Sequence, residues 1–296
     1  MDNVRLPSHY TSQRVKVSGF MLFRPSKLPD SVRIRPPLYD PSFPYIVFWS
    51  QKSGCTTVVK WFFAQLGLLD EALAYSNWIH DYEGQVFKKR KFYKREVAEA
   101  LRSGTHKAVK VVRDPMARAP SSFLVLAERG AILERRHHWA QDHWTLVNDW
   151  LAERGRPVEP GLTFLDHLEM VREFEAKEAH SINQHISPQY VAGEEEFLNE
   201  VIPIERFADW ATGIAGTDGI KDVDMNALGE SRHHHQVTER RTKMFAENAE
   251  TIPIERGAFA NGKFPSSKVF INERTQPIIR DTYKVDFDNY GHLYGH

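Results

Sequence analysis

A single cysteine, Cys55, stands in a chain of 296 residues, so no intramolecular disulfide framework can hold this fold. Charge of one sign is lacking too: 39 Lys and Arg against 39 Asp and Glu give a formal net charge of zero. A general attraction to nucleic acid or to an anionic membrane is therefore not indicated. No apolar run is long enough to span a bilayer, and the opening Met1-Asp-Asn-Val-Arg-Leu-Pro7 has no apolar core of a signal peptide. Gly/Ser-rich linkers and internal repeats are missing as well. The expectation is one soluble domain over 41–296, preceded by an irregular arm over 1–40 that carries Pro7, Pro25, Pro29, Pro36 and Pro37. The 41% of hydrophobic residues, with seven Trp and 18 Phe, can fill a sizeable core.

What is present concentrates at two places. Tyr45-Ile-Val-Phe-Trp49 is an apolar run of strand length. Ser50-Gln-Lys-Ser-Gly54 follows as a small-residue turn, and Cys55-Thr-Thr-Val-Val-Lys-Trp61 opens a segment with helical spacing. A strand–turn–helix of this kind aims backbone N–H groups and the positive end of a helix dipole at one point, which makes an anion site. The Walker A pattern is absent, because Lys52 precedes Gly54 instead of following a second glycine. The second place is Lys107-Ala-Val-Lys-Val-Val112, another strand, followed by Arg113-Asp-Pro-Met-Ala-Arg118-Ala-Pro-Ser121-Ser-Phe123. Asp114 suits an N-cap and Pro115 the first helical turn. Arg113 then lies at a strand's carboxyl end, where open α/β sheets bind ligands. Ser121 follows two turns later, and an Arg with a nearby hydroxyl suits a second phosphate.

The pair of motifs resembles the sulfotransferases that use 3′-phosphoadenosine 5′-phosphosulfate (PAPS). In that family a Pro-Lys-x-Gly-(Cys/Thr)-Thr loop holds the 5′-phosphosulfate and an Arg-Asp-Pro-x-x-Arg-x-x-Ser element holds the 3′-phosphate. Gln51 stands here where Pro is usual, and Cys55 is similar to the branch of carbohydrate sulfotransferases and their bacterial relatives. His185-Ile-Ser-Pro-Gln189 and Tyr283-Lys-Val-Asp-Phe-Asp-Asn-Tyr-Gly291 echo it more faintly. The resemblance implies a P-loop-type parallel sheet flanked by helices, with PAPS as co-substrate and no metal. Lys52, Ser53, Gly54, Cys55, Thr56 and Thr57 would cradle the 5′-phosphosulfate, and Arg113 and Ser121 would hold the 3′-phosphate. Lys52 would neutralise charge on the departing oxygen, while Cys55 would be a space-filling bystander. Arg118 could serve the site or pair with Asp114 one turn back. With no membrane anchor in view, a cytoplasmic enzyme acting on a small-molecule or glycan hydroxyl is expected. A nucleotide kinase and a non-catalytic bisphosphate-binding relic are the rival readings.

A general base is harder to find. His80, in Asn77-Trp-Ile-His-Asp81, has the right chemistry near neutral pH and would be the base, or else a loop histidine bonded to Asp81. His185 and Glu83 are the alternatives, and His106 reads as structural. His137-His138 with His143, and His233-His-His235, lack companion ligands at metal spacing and read as solvated surface. Lys88-Lys-Arg-Lys-Phe-Tyr-Lys-Arg95 reads as a solvated helix face that could also attract an acidic acceptor. Further helices are expected over 97–102, 137–154, 164–176 and 272–287, an edge strand over 201–205, and a long loop over 212–238.

Overall fold

A computed structural model describes residues 28–127, 138–159, 161–229, 236–259 and 262–296. The calls on residues 1–27, His137 and His233–His235 lie outside them. A short helix, α1 (Asp30–Ile34), precedes β1 (Tyr45–Trp49). Then come α2 (Cys55–Leu66), α3 (Leu69–Tyr75), α4 (Ile79–Gln85), α5 (Tyr93–Ser103) and β2 (Lys107–Val112). Beyond β2 run α6 (Pro115–Leu124), α7 (His138–Glu153), α8 (Phe164–Lys177) and β3 (Glu200–Pro203). The last helices are α9 (Phe207–Gly213), α10 (Met225–Gly229), α11 (Glu239–Met244), α12 (Thr275–Thr282) and α13 (Lys284–Tyr290).

The class is α/β. The three strands pair in parallel in the order β1-β2-β3, with Trp49 opposite Val111 and Val112 opposite Pro203. The first four residues of β1 are buried, as in a sheet covered on both faces, which is why the run is continuously apolar instead of alternating. Pro203 closes the edge strand, the place where its missing N–H costs least. This register has a consequence for function: the turn after β1 and the turn after β2 leave the sheet side by side at the same end.

Two apolar clusters build the interior. One packs β1 and β2 against α2 to α5, with Trp61, Phe62 and Phe63 of α2 fully buried. The other gathers α6, α7, α8 and the C-terminal segments around Phe123, Phe164, Phe259 and Phe270. Local signals start and stop the helices as expected. Asp114 accepts the Met116 N–H at 2.9 Å with Pro115 behind it, and Thr163 with Asp166 forms a capping box on α8. Gly67 and Gly104 end α2 and α5 in the left-handed conformation.

Three expectations are corrected. The segment 212–238 contains α10, because Leu228 and Ile220 are buried in the first cluster. The single C-terminal helix is two, meeting at Tyr283, whose buried hydroxyl donates to the Ile186 carbonyl at 3.1 Å. Within the arm, α1 is regular, and Leu38 bridges Val47 at the outer edge of β1.

Candidate anion-binding site

The turn after β1 has two residues in the left-handed region, Lys52 at φ 66° and Gly54 at φ 69°. For lysine this conformation costs roughly 1–2 kcal/mol, a strain that functional loops often carry. At Gly54 glycine is required twice over: a Cβ there would lie 2.4 Å from Ile204 Cδ1, besides the positive φ. The result is a loop that delivers the chain to the head of α2. Thr57 N–H bonds back to the Gly54 carbonyl at 3.0 Å, but the amides of Gly54, Cys55 and Thr56 donate to no acceptor among the described residues. Three open donors at the positive end of a 12-residue helix form an anion cradle.

The second motif is tied to the first. Arg113 donates to the Lys52 carbonyl at 3.2 Å, so its guanidinium lies against the loop. Gln189 joins the two elements: its Oε1 accepts the Ser53 hydroxyl at 2.6 Å and the Arg113 N–H at 2.9 Å, and its Nε2 donates to the Arg113 carbonyl at 2.9 Å. Asp286, wholly buried, accepts the Gln189 N–H at 2.8 Å and the Tyr190 N–H at 2.8 Å. Ser53 is therefore a fully buried structural residue, its N–H donating to the Ser50 carbonyl at 3.2 Å, and it adds no open donor to the cradle. Thr56 and Thr57 open α2 as expected. Ser121 is half-buried on α6, about 10 Å along the helix from Asp114 at 1.5 Å per residue, and its hydroxyl bonds to nothing among the described residues. No hydrogen bond joins Ser121 to Arg113 among the described residues.

Arg118 does not pair with Asp114. It is 1% exposed and points under the loop, donating through Nε to the Gln51 carbonyl at 3.0 Å and through one terminal nitrogen to the Gln184 carbonyl at 3.2 Å. Its other terminal nitrogen is buried without a partner. Gln51 turns its amide to Gln184 Oε1 at 2.8 Å, a tether that proline could not provide. Arg35, from the arm, is a further buried cation. It donates to the carbonyls of Gln189 at 2.9 Å and Pro188 at 2.8 Å and to the hydroxyls of Ser50 and Ser187. Burial lowers its pKa to about 10, leaving it charged. Sequence reading missed Arg35, Gln189 and Asp286. The last two lie inside the faint echoes 185–189 and 283–291, whereas Arg35 reaches neutral oxygens on a distant segment and has no local signature.

His80 sits beside the cradle, its ring 5.2 Å from that of Trp49 and 5.1 Å from that of Trp78. Its partner is Glu83, with Nδ1 to Oε2 at 2.6 Å, while Asp81 accepts the Ser76 hydroxyl at 2.6 Å. Lys88 holds the other Glu83 oxygen at 2.6 Å. Burial favours the neutral ring, but the Cys55 thiol and Glu83 outweigh it and push His80 up to about 10. Conversely, burial opposes ionisation of Glu83, yet Lys88 and His80 hold it down at about 2. At neutral pH His80 is thus an imidazolium with no lone pair to accept a proton, and Glu83 has both oxygens occupied. At Cys55 burial would raise the thiol's pKa, but His80 and Lys52 lower it.

The remaining histidines lie elsewhere. His185 stacks on Trp139 with ring centroids 4.2 Å apart and bonds Asn183 at 2.8 Å. His106 packs edge-on to Tyr39 at 5.2 Å. His143 is buried on α7, contrary to a solvated reading, and burial lowers it to about 4. In the basic run, Lys88 and Arg90 turn inward, to Glu83 and to Asp40 at 3.0 Å, and are not displayed to an acidic acceptor.

Comparison with protein-family models, with curated proteins and with solved structures finds no match to this chain.

Proposed function

We propose that this protein binds PAPS at the cradle and transfers its sulfuryl group to an acceptor hydroxyl, on a sheet of P-loop type. One observation carries the reading. The two motifs that resemble the PAPS-binding elements stand on adjacent parallel strands, and Arg113 is bonded to the Lys52 carbonyl, so one ligand with two phosphates can reach both. A kinase would want a Walker lysine after the second glycine, and the loop has none.

In this reaction the acceptor oxygen attacks sulfur as the bond to the 5′-phosphate oxygen breaks. Negative charge gathers on that oxygen, and the open amides of Gly54, Cys55 and Thr56, with Lys52, neutralise it. His80 adds a second positive charge here instead of acting as a base. The attacking hydroxyl turns strongly acidic as its oxygen bonds to sulfur, so water can take the proton. Positioning and electrostatics supply most of the rate.

The test is transfer of radiolabelled sulfate from PAPS to a panel of glycans, phenols and lipid alcohols. Label on at least one acceptor, lost in Lys52→Ala, supports the reading. Tight binding of adenosine 3′,5′-bisphosphate with no label on any acceptor supports a non-catalytic binding domain.

A further inference from the structure

Part of the basic run 88–95 has no role in the cradle. Lys88 and Arg90 turn inward to Glu83 and Asp40, but Lys89, Lys91, Lys94 and Arg95 are exposed, and among the described residues none of these four has a carboxylate partner. Lys94 meets only a neutral oxygen, the Arg33 carbonyl at 3.2 Å. No acid stands between Val86 and Arg95. A chain with a net charge of zero thus gathers four unpaired cations at the bend that enters α5. Lys94 and Arg95 even lie in the first turn of α5, where the helix dipole disfavours positive charge.

Phe92 stands in their midst, and the fold gains little from it. The residue is 49% exposed and belongs to neither apolar cluster. Its backbone is left-handed, at φ 70° and ψ 7°, a strained conformation for a bulky side chain. It holds the N-cap of α5 without a side chain that can cap, where Asn would serve better. The Arg95 guanidinium lies over the ring, 4.1 Å from its centroid, and the Lys91 ammonium is 4.8 Å away. An apolar ring kept in water at a conformational cost, with cations around it, suits a surface that is anionic outside and apolar beneath.

We propose that this bend docks the protein on an anionic lipid surface, independently of the sulfuryl-transfer reading. Phe92 enters the boundary between headgroups and acyl chains, where aromatic side chains are favoured. Lys89, Lys91, Lys94 and Arg95 lie over the headgroup phosphates, each cation adding to the attraction. Among the described residues no helix is long and apolar enough to cross a membrane, so the contact is peripheral. Single-stranded nucleic acid fits less well, because successive bases stack on successive rings, and Tyr93, the run's other aromatic, is buried.

Co-sedimentation of the whole protein with phospholipid vesicles tests the contact. At about 0.1 M salt, vesicles with about 30% phosphatidylglycerol should bind it at least about tenfold more tightly than phosphatidylcholine alone. Salt at about 0.5 M should remove most of that preference. The triple variant Lys91→Gln, Lys94→Gln, Arg95→Gln should lose at least about tenfold in affinity for the anionic vesicles. Phe92→Asn should lose about fivefold, since the exposed part of the ring no longer leaves water. Its urea-unfolding midpoint should equal or exceed that of the wild type, because Asn tolerates the left-handed backbone and can cap α5. No binding to anionic vesicles, or equal binding to neutral ones, overturns the proposal, as does wild-type affinity in either variant. A lowered midpoint in Phe92→Asn would mean that the ring serves the fold, which also overturns it. Retention of the wild type on heparin or single-stranded DNA without binding to vesicles would replace the lipid by a soluble polyanion.

Discussion

Two residues set the shape and charge of the cradle. Lys52→Ala removes a cation from the place where charge develops and should cut sulfuryl transfer by about 10²-fold or more, with a smaller loss in bisphosphate affinity. A single-turnover rate near that of the wild type would contradict its role. Gly54→Ala meets both the positive φ and the close approach of Ile204, and should cost about 1–3 kcal/mol in urea unfolding. Trimming Ile204 to Ala in that background should return only part of the loss, because the backbone strain persists; full recovery would show that φ is unimportant here. The glycine, the lysine and Arg113 were legible in the sequence because each belongs to a short local pattern with a physical requirement. The protonation of His80 was not. It follows from the charges of Cys55 and Glu83, the first twenty-five positions back and the second three on, acting on one ring in a buried setting.

Among the elements, the join between the two turns decides whether one ligand can span them. The side chain of Gln189 holds Ser53 and both backbone groups of Arg113, and its own N–H rests on Asp286 of α13. Gln189→Ala leaves these buried groups unpaired and should cost about 1–3 kcal/mol by denaturant unfolding. Calorimetry should show weaker bisphosphate binding as well, although Gln189 is assigned no ligand contact. A loss of stability with unchanged affinity would mean that the turns hold their relative position without it. The strands and most helices were readable from apolar runs, caps and glycine stops. The break at Tyr283 and the short helix α10 were not, since a tertiary hydrogen bond and the burial of Leu228 decide them.

Across the whole molecule, buried titratable groups fix how stability responds to pH. His143 and His167 are buried as neutral rings, with burial lowering them to about 4 and about 3. Below the ordinary histidine value of about 6.5 the unfolded chain binds protons that the folded chain refuses. Stability should therefore fall as pH drops from 6.5, by up to about 1.4 kcal/mol per unit for each histidine. Glu83, depressed to about 2, adds to this only below the ordinary glutamate range. His80 acts in the opposite sense: raised to about 10, its contribution is complete below 6.5 and is lost as pH rises toward 10. Urea unfolding between pH 6.5 and 5 should show the acid slope, and His167→Gln should reduce it. An unchanged slope in that variant would place the acid sensitivity elsewhere. None of this was visible in the sequence, where His143 read as surface; its burial follows from the packing of α7 into the second apolar cluster around Trp144 and Val147.

The most direct measurement is calorimetric titration of the protein with adenosine 3′,5′-bisphosphate and with AMP. Two anchored phosphates predict saturable one-to-one binding of the bisphosphate, at least about tenfold tighter than AMP, given that a hydrogen bond to a charged group contributes about 1.5–3 kcal/mol. Arg113→Ala should erase most of that difference while leaving AMP nearly unaffected. Equal affinity for the two nucleotides, or a preference that survives Arg113→Ala, would contradict a site built to span both phosphates.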